Sequence, residues 1–129
     1  MRDFTLQAYK DLLIALQQSA YQFITFEQYC IAKQSNGALP PKVVILRHDV
    51  DLKAANSLAT AQLEAELGIV ASYYFRVVPQ SNQPIMIKAI ADLGHEIGYH
   101  YEDMAICGGD VKKEKKHFET QLAYFRNYY

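Results

Sequence analysis

The chain of 129 residues has no tryptophan, only two cysteines and almost no net charge. Cys30 and Cys107 lie far apart and form no C-x-x-C pair, so the expectation is two reduced, partly buried thiols rather than a disulfide framework. Thirteen basic against fourteen acidic residues leave a formal charge of −1, which offers no electrostatic case for nucleic acid or an anionic membrane surface. No apolar run approaches the roughly 20 residues of a membrane span. The opening MRDFTLQAYKDLL carries charges where a signal peptide needs an unbroken apolar core, so the expected location is cytoplasmic. What is present is ordinary for one soluble globular domain: half the residues are apolar and 21% are charged. The ten tyrosines are read as amphipathic packing rather than as sugar platforms.

Hydrophobic spacing orders the elements. Thr5 caps an expected helix in which Leu6, Tyr9, Leu12, Leu13 and Leu16 recur at helical intervals. The extended piece YQFI follows, and Thr25 with Gln28 forms a capping box for a second helix reaching about Ala32. QSNGALPP is the clearest loop. A continuous β-branched strand is expected over 43–47, then a helix over 53–67 with Leu58, Ala61, Leu63, Ala65 and Leu67 facing the core and Gly68 ending it. ASYYFRV reads as the next strand. Pro84 opens another helix, backed by Ile85, Ile87, Ile90 and Leu93 and stopped by Gly94. HEIGYH is a short third strand, and Asp110 caps a last helix with Phe118, Leu122 and Phe125 on one face. Its lysines 112, 113, 115 and 116 are read as a solvated face. Strands alternating with helices imply parallel pairing and an α/β fold, in which ligand sites gather at the carboxyl ends of strands.

Both polar clusters fall at that edge. RHDVD ends the first strand and GYHYED the third. Asp49 and Asp51 are two apart in extended chain and project to one side. Their mutual repulsion is relieved by a cation or by one raised pKa. With His100 they make a plausible mixed oxygen and nitrogen ligand set for a zinc-like ion, leaving one carboxylate to take a proton from water. The competing reading has Asp51 capping the following helix and Asp49 pairing with Arg47 or a backbone amide. His48 alternates to the other face, where packing or support of the ligands is its expected task. Glu102 and Asp103 are candidate ligands or caps of the next turn. His95 is read as structural, and His117 as a surface residue.

VVILRHDVD, the helix after it, ASYYFRV and above all LGHEIGYHYED give a resemblance. From Val43 onward the chain resembles the polysaccharide deacetylases, the NodB-homology domains of carbohydrate esterase family four. The phrase G-H-E-I-G-x-H matches the family's second motif, and RHDVD is similar to its first, usually T-F-D-D-G. The resemblance implies a distorted barrel of parallel strands with outer helices, here partial: about three core strands after a helical N-terminal segment of residues 1–40. It implies hydrolysis of an N-acetylated sugar with a divalent metal, zinc being the expected one. Asp49 then takes the place of the catalytic base, with Asp51 and His100 as metal ligands. The family's second motif histidine maps to Met104, so Asp103 or Glu102 is the expected substitute. Arg47, His48 and Glu102 are supporting positions. The arginine that orients the base and the histidine that acts as general acid belong to later motifs not found in this chain.

Two readings stay open. One is a metal-dependent hydrolase cleaving a carbon–nitrogen amide bond, represented by its front part within residues 41–129. The other is a non-catalytic deacetylase-like module that binds a glycan or a protein partner. Three strands make a thin open sheet, so self-association through its edge is also expected.

Overall fold

Thr5 opens the first helix as its spacing predicts. Its hydroxyl accepts from the Ala8 amide, and α1 runs over Leu6–Gln18. This is a computed structural model that describes residues 4–129; the first three residues of the expected N-terminal segment lie outside the described ones. On α1 only Leu13 is fully buried, while Leu6 and Leu12 remain more than half exposed. The predicted stripe is therefore only partly covered. A two-residue strand β1 (Gln22–Phe23) follows, then α2 (Phe26–Gln34), whose Thr25–Gln28 capping box is fully formed.

The expected single strand over 43–47 is two strands. Val43–Val44 (β2) pairs parallel with β1, and Arg47–Val50 (β3) pairs with the next strand. The chain changes partner between them: Val44 carbonyl accepts from Ile24, and Leu46 carbonyl already accepts from Ser72. RHDV is consequently strand, not strand end. β1 falls within the expected extended piece YQFI, so the N-terminal segment is two helices with a short strand between them.

After β3 come α3 (Ala54–Glu66), β4 (Ser72–Phe75), α4 (Pro84–Asp92), β5 (Glu96–Tyr99), a one-turn α5 (Asp103–Ile106) and α6 (Val111–Tyr128). Gly68 and Gly94 stop α3 and α4 at φ +69 and +93, a region that penalises any Cβ. The fold is a mixed α/β arrangement of helices and two small parallel sheets, β1-β2 and β3-β4-β5; the described strands close no barrel. No helix among the described residues is long and apolar enough to cross a membrane.

Parallel register sorts side chains by parity. Arg47 lies beside Ser72 and Glu96, His48 beside Tyr73 and Ile97, Asp49 beside Tyr74 and Gly98, and Val50 beside Phe75 and Tyr99. Val50, Tyr73 and Phe75 are buried and form the core with Ala54, Ala61, Ile87, Ile90 and Phe125, so α3, α4 and α6 cover that face. The α3 stripe keeps Ala61 and Leu58 of the expected set and corrects the rest. Ala54, Ala61 and Glu64 are its buried residues, because helical period selects positions three and four apart, whereas the expected Leu63, Ala65 and Leu67 follow an alternation of two.

The other face is polar and depends on Gly98. A Cβ built there would meet the Tyr74 ring at 2.5 and 2.6 Å. The ring lies across the glycine with the Arg47 guanidinium 4.6 Å from its centroid. Gly98→Ala should destabilise the protein by about 1–3 kcal/mol through this overlap. In a Tyr74→Ala background the same change should cost under about 1 kcal/mol. Urea unfolding of the four variants of this cycle checks the coupling.

Candidate functional site

One residue past the ladder, Asp51 and His100 extend the polar row that begins with Arg47 and Asp49. The His100 amide donates to the Phe75 carbonyl at 2.8 Å, which holds the chain in strand geometry up to that residue. His100 Nε2 lies 3.8 Å from Asp49 Oδ2 and 3.6 Å from Asp51 Oδ1. Two distant segments thus bring two carboxylates to one imidazole nitrogen. The Asp49 carboxyl is oriented: its Oδ1 accepts from Arg47 Nε at 2.8 Å, leaving Oδ2 toward His100.

Donors held about 2.0–2.2 Å from a tetrahedral zinc-like ion are about 3.3–3.6 Å apart. The Asp51 separation of 3.6 Å lies at the upper end of that range, and the Asp49 separation of 3.8 Å lies just beyond it. The donor set is of the right kind, an imidazole nitrogen and two carboxylate oxygens. Its carboxylates are 40% and 55% exposed and free to close that gap. Among the described residues no group of three or more His, Cys, Asp and Glu side chains is already gathered as a metal cage. The arrangement is an open convergence on His100 rather than a closed pocket.

The remaining candidates lie elsewhere. Asp103 is buried, 1% exposed, and its Oδ1 pairs with His117 Nδ1. Its Oδ2 is buried with no hydrogen-bond partner. His117, expected at the surface, is 30% exposed and tied to a buried acid. Glu102 forms an ion pair with Arg76 and makes no side-chain cap for α5. Met104, at the position of the family's second histidine, is 55% exposed on α5. Burial, with the neighbouring Asp103 charge, pushes the Tyr99 hydroxyl up to about 12. A cavity of about 80 Å³ lies beside these groups, lined by Arg76, Tyr99, His100, Glu102 and His117 among others.

His48 faces away from the two aspartates and into a cluster that sequence reasoning missed. Glu64 is fully buried on α3. Its Oε1 takes hydrogen bonds from Tyr9 at 2.5 Å and from His48 Nε2 at 2.7 Å, and its Oε2 from Tyr73 at 2.7 Å. The His48 ring stacks on Tyr73 with centroids 4.4 Å apart. His95 closes the cluster from below: its Nδ1 accepts from the Ala71 amide, so Nε2 carries the proton and donates to the Ala61 carbonyl. The signal was available, since Glu64 sits three residues from Ala61 on the buried stripe. A larger cavity of about 720 Å³ lies against this cluster between α1 and α3, lined by Leu6, Tyr9, Leu12, His48, Asn56 and Thr60 among others.

No protein-family model, no curated protein and no solved structure matches the chain.

Burial alone would raise the Glu64 carboxyl, but the hydrogen bonds from His48, Tyr9 and Tyr73 outweigh it and hold the group below its ordinary value of 4.5. A carboxyl depressed by folding stabilises the protein fully above its unfolded pKa, and that contribution drains as pH falls through the folded value. Stability should therefore decline below about pH 4.5. Glu64→Gln should be less stable at neutral pH and show a shallower acid limb. Urea midpoints between pH 3 and 7 for both proteins test this; parallel curves would contradict it.

Proposed function

We propose that the polar face of β3 and β5 is the working site of a metal-dependent hydrolase that cleaves the carbon–nitrogen amide bond of an N-acetylated carbohydrate. The fold in this reading is part of a distorted β/α barrel of the polysaccharide deacetylase kind. The observation that carries it is the approach of Asp49 and Asp51 to His100 Nε2, at 3.8 and 3.6 Å. Asp51 and His100 would hold the divalent ion, zinc by the nature of the donors. When bound, that ion supplies a Lewis acid beside the substrate carbonyl. Asp49 accepts the proton of the attacking water through Oδ2, the oxygen that Arg47 does not occupy. Arg47 fixes the carboxyl plane and stacks on Tyr74, so base and sheet are positioned together. Asp103 is committed to His117 and is not assigned to the ion.

One observation favours the second reading, a non-catalytic module that binds a glycan or a protein partner. The three donors form no closed cage, and the exposed Met104 replaces a histidine ligand of the resembled family. Zinc titration by calorimetry separates the two. The hydrolase reading expects a single site, with affinity lowered at least tenfold by Asp51→Ala and again by His100→Ala. It also expects acetate release from an N-acetylglucosamine oligomer by the zinc-loaded protein. A wild-type chain that takes up no zinc yet binds the oligomer supports the module.

The partner reading extends to a second copy of the chain. β5 is an edge of its sheet, with β4 as its only strand partner among the described residues. Unblocked edges pair with like edges. Sedimentation should show a concentration-dependent dimer, weakened by Ile97→Pro, which removes a backbone donor from that strand. A monomer at every concentration would refute edge pairing.

A further inference from the structure

The cavity of about 720 Å³ between α1 and α3 lies on the helical side of the sheet and takes no part in the hydrolase reading. Volumes of about 300–1,000 Å³ are typical of small-molecule sites. Two hydrogen bonds pin α1 to α3: Gln17 Nε2 donates to the Leu67 carbonyl at 2.9 Å, and the Tyr9 hydroxyl donates to Glu64. The cavity opens toward the other ends of the two helices, at Leu6 and Asn56. Leu6, Leu12 and Ala59 give it apolar walls, and Leu6 and Leu12 stay 51% and 54% exposed. Its polar lining is partly spent. Tyr9 is committed to Glu64, and the Thr60 hydroxyl donates to the Asn56 carbonyl. The Asn56 side-chain amide and His48 Nδ1 have no hydrogen-bond partner among the described residues. Among those residues no carboxylate, lysine or arginine lines the space, so His48 is its one group able to carry a positive charge. The imidazole is fixed before any ligand arrives: Nε2 is held by Glu64 at 2.7 Å and the ring stacks on Tyr73.

We infer that this cavity binds an aliphatic monocarboxylate, its carboxylate on His48 and Asn56 and its chain along Leu6, Leu12 and Ala59. The inference is independent of the hydrolase reading and concerns the opposite face of the sheet. A charged imidazole donates through both nitrogens, so a ring bonded to Glu64 through Nε2 still offers Nδ1–H to a second carboxylate. A charge-assisted hydrogen bond of this kind is roughly twice as strong as a neutral one. The amide of Asn56 adds a neutral donor. An ammonium head would meet a positive ring with no acid nearby to hold it, and an alcohol head would forgo the charge. The apolar walls give the chain its share of the affinity. Two further methylenes, if fully buried, tighten binding about 15-fold. Glu64 stays out of the cavity, and its task there is to set the ring.

Calorimetry on the full chain tests the assignment with hexanoate, octanoate and 1-octanol as probes. Octanoate should bind about tenfold or more tightly than 1-octanol, and about fivefold or more tightly than hexanoate. His48→Gln should level octanoate with 1-octanol. Ala59→Phe, which fills the cavity, should weaken both by about tenfold or more. Urea midpoints report whether each variant folds. Nitrogen NMR of the wild-type ring needs no substitution: octanoate should move the His48 Nδ1 resonance, and 1-octanol should leave it in place. Equal affinity for acid and alcohol, an Nδ1 resonance indifferent to octanoate, or octanoate binding that survives Ala59→Phe overturns the inference. So does a chain that takes up no octanoate and instead forms a dimer that Leu12→Glu dissolves, since a second copy then covers the groove.

Discussion

The parallel ladder of β3, β4 and β5 is the constraint on which the rest depends. It sets Val50 beside Phe75 and Phe75 beside Tyr99, so the chain leaves both outer strands at the same height. Asp51 and His100 are the next residues, and parity sends them to the face that already bears Asp49. A slip of one residue in either pairing would send one partner into the helical layer. The convergence is thus a property of register first and of side chains second. Gly98 belongs to the same constraint, since only a residue without a Cβ lets Tyr74 lie across β5 and carry the Arg47 guanidinium above Asp49.

Behind the sheet, Glu64 holds that register from the covered face. It receives hydrogen bonds from β3 through His48, from β4 through Tyr73 and from α1 through Tyr9. His48 neighbours Asp49 in the chain and points the opposite way. The strand that presents a carboxylate on one face is therefore anchored to a buried carboxylate on the other. A buried ionic cluster of this kind is weak as a source of stability and costly to break in part, which suits a role in fixing one arrangement. The Ala71 and Ala61 backbone groups bound by His95 tie the start of β4 to the middle of α3.

Much of the skeleton was legible because local chemistry agreed with tertiary need. Thr5, the Thr25–Gln28 box, Pro84, Gly94 and Asp110 each end or begin a helix where their backbone preferences place them. That Asp49 and Asp51 reach the same imidazole followed from a period of two and from the edge rule for parallel sheets. What was not legible depended on distant partners. The run before RHDVD divides because β1 claims Val43 and Val44 while β4 claims Arg47 to Val50, and nothing local marks that exchange. Glu64 was passed over because attention to apolar residues hid a charged one on the buried stripe. Asp103 and His117 were read singly, as ligand or cap and as surface, when each is the reason for the other's position. Val50 and Met104 were positions where the sequence departs from the resembled motifs; Val50 is buried in the core and Met104 stands exposed on α5.

The central claim is that one imidazole and one carboxylate, His100 and Asp51, hold one cation beside the carboxylate of Asp49, all three brought together by strand register. X-ray absorption on the zinc-loaded protein reads that ligand shell directly. The account expects a single imidazole nitrogen with oxygen donors at about 2.0–2.2 Å, and loss of the imidazole signature in His100→Ala. A shell with two or more imidazoles, or one unchanged when His100 is removed, would contradict it.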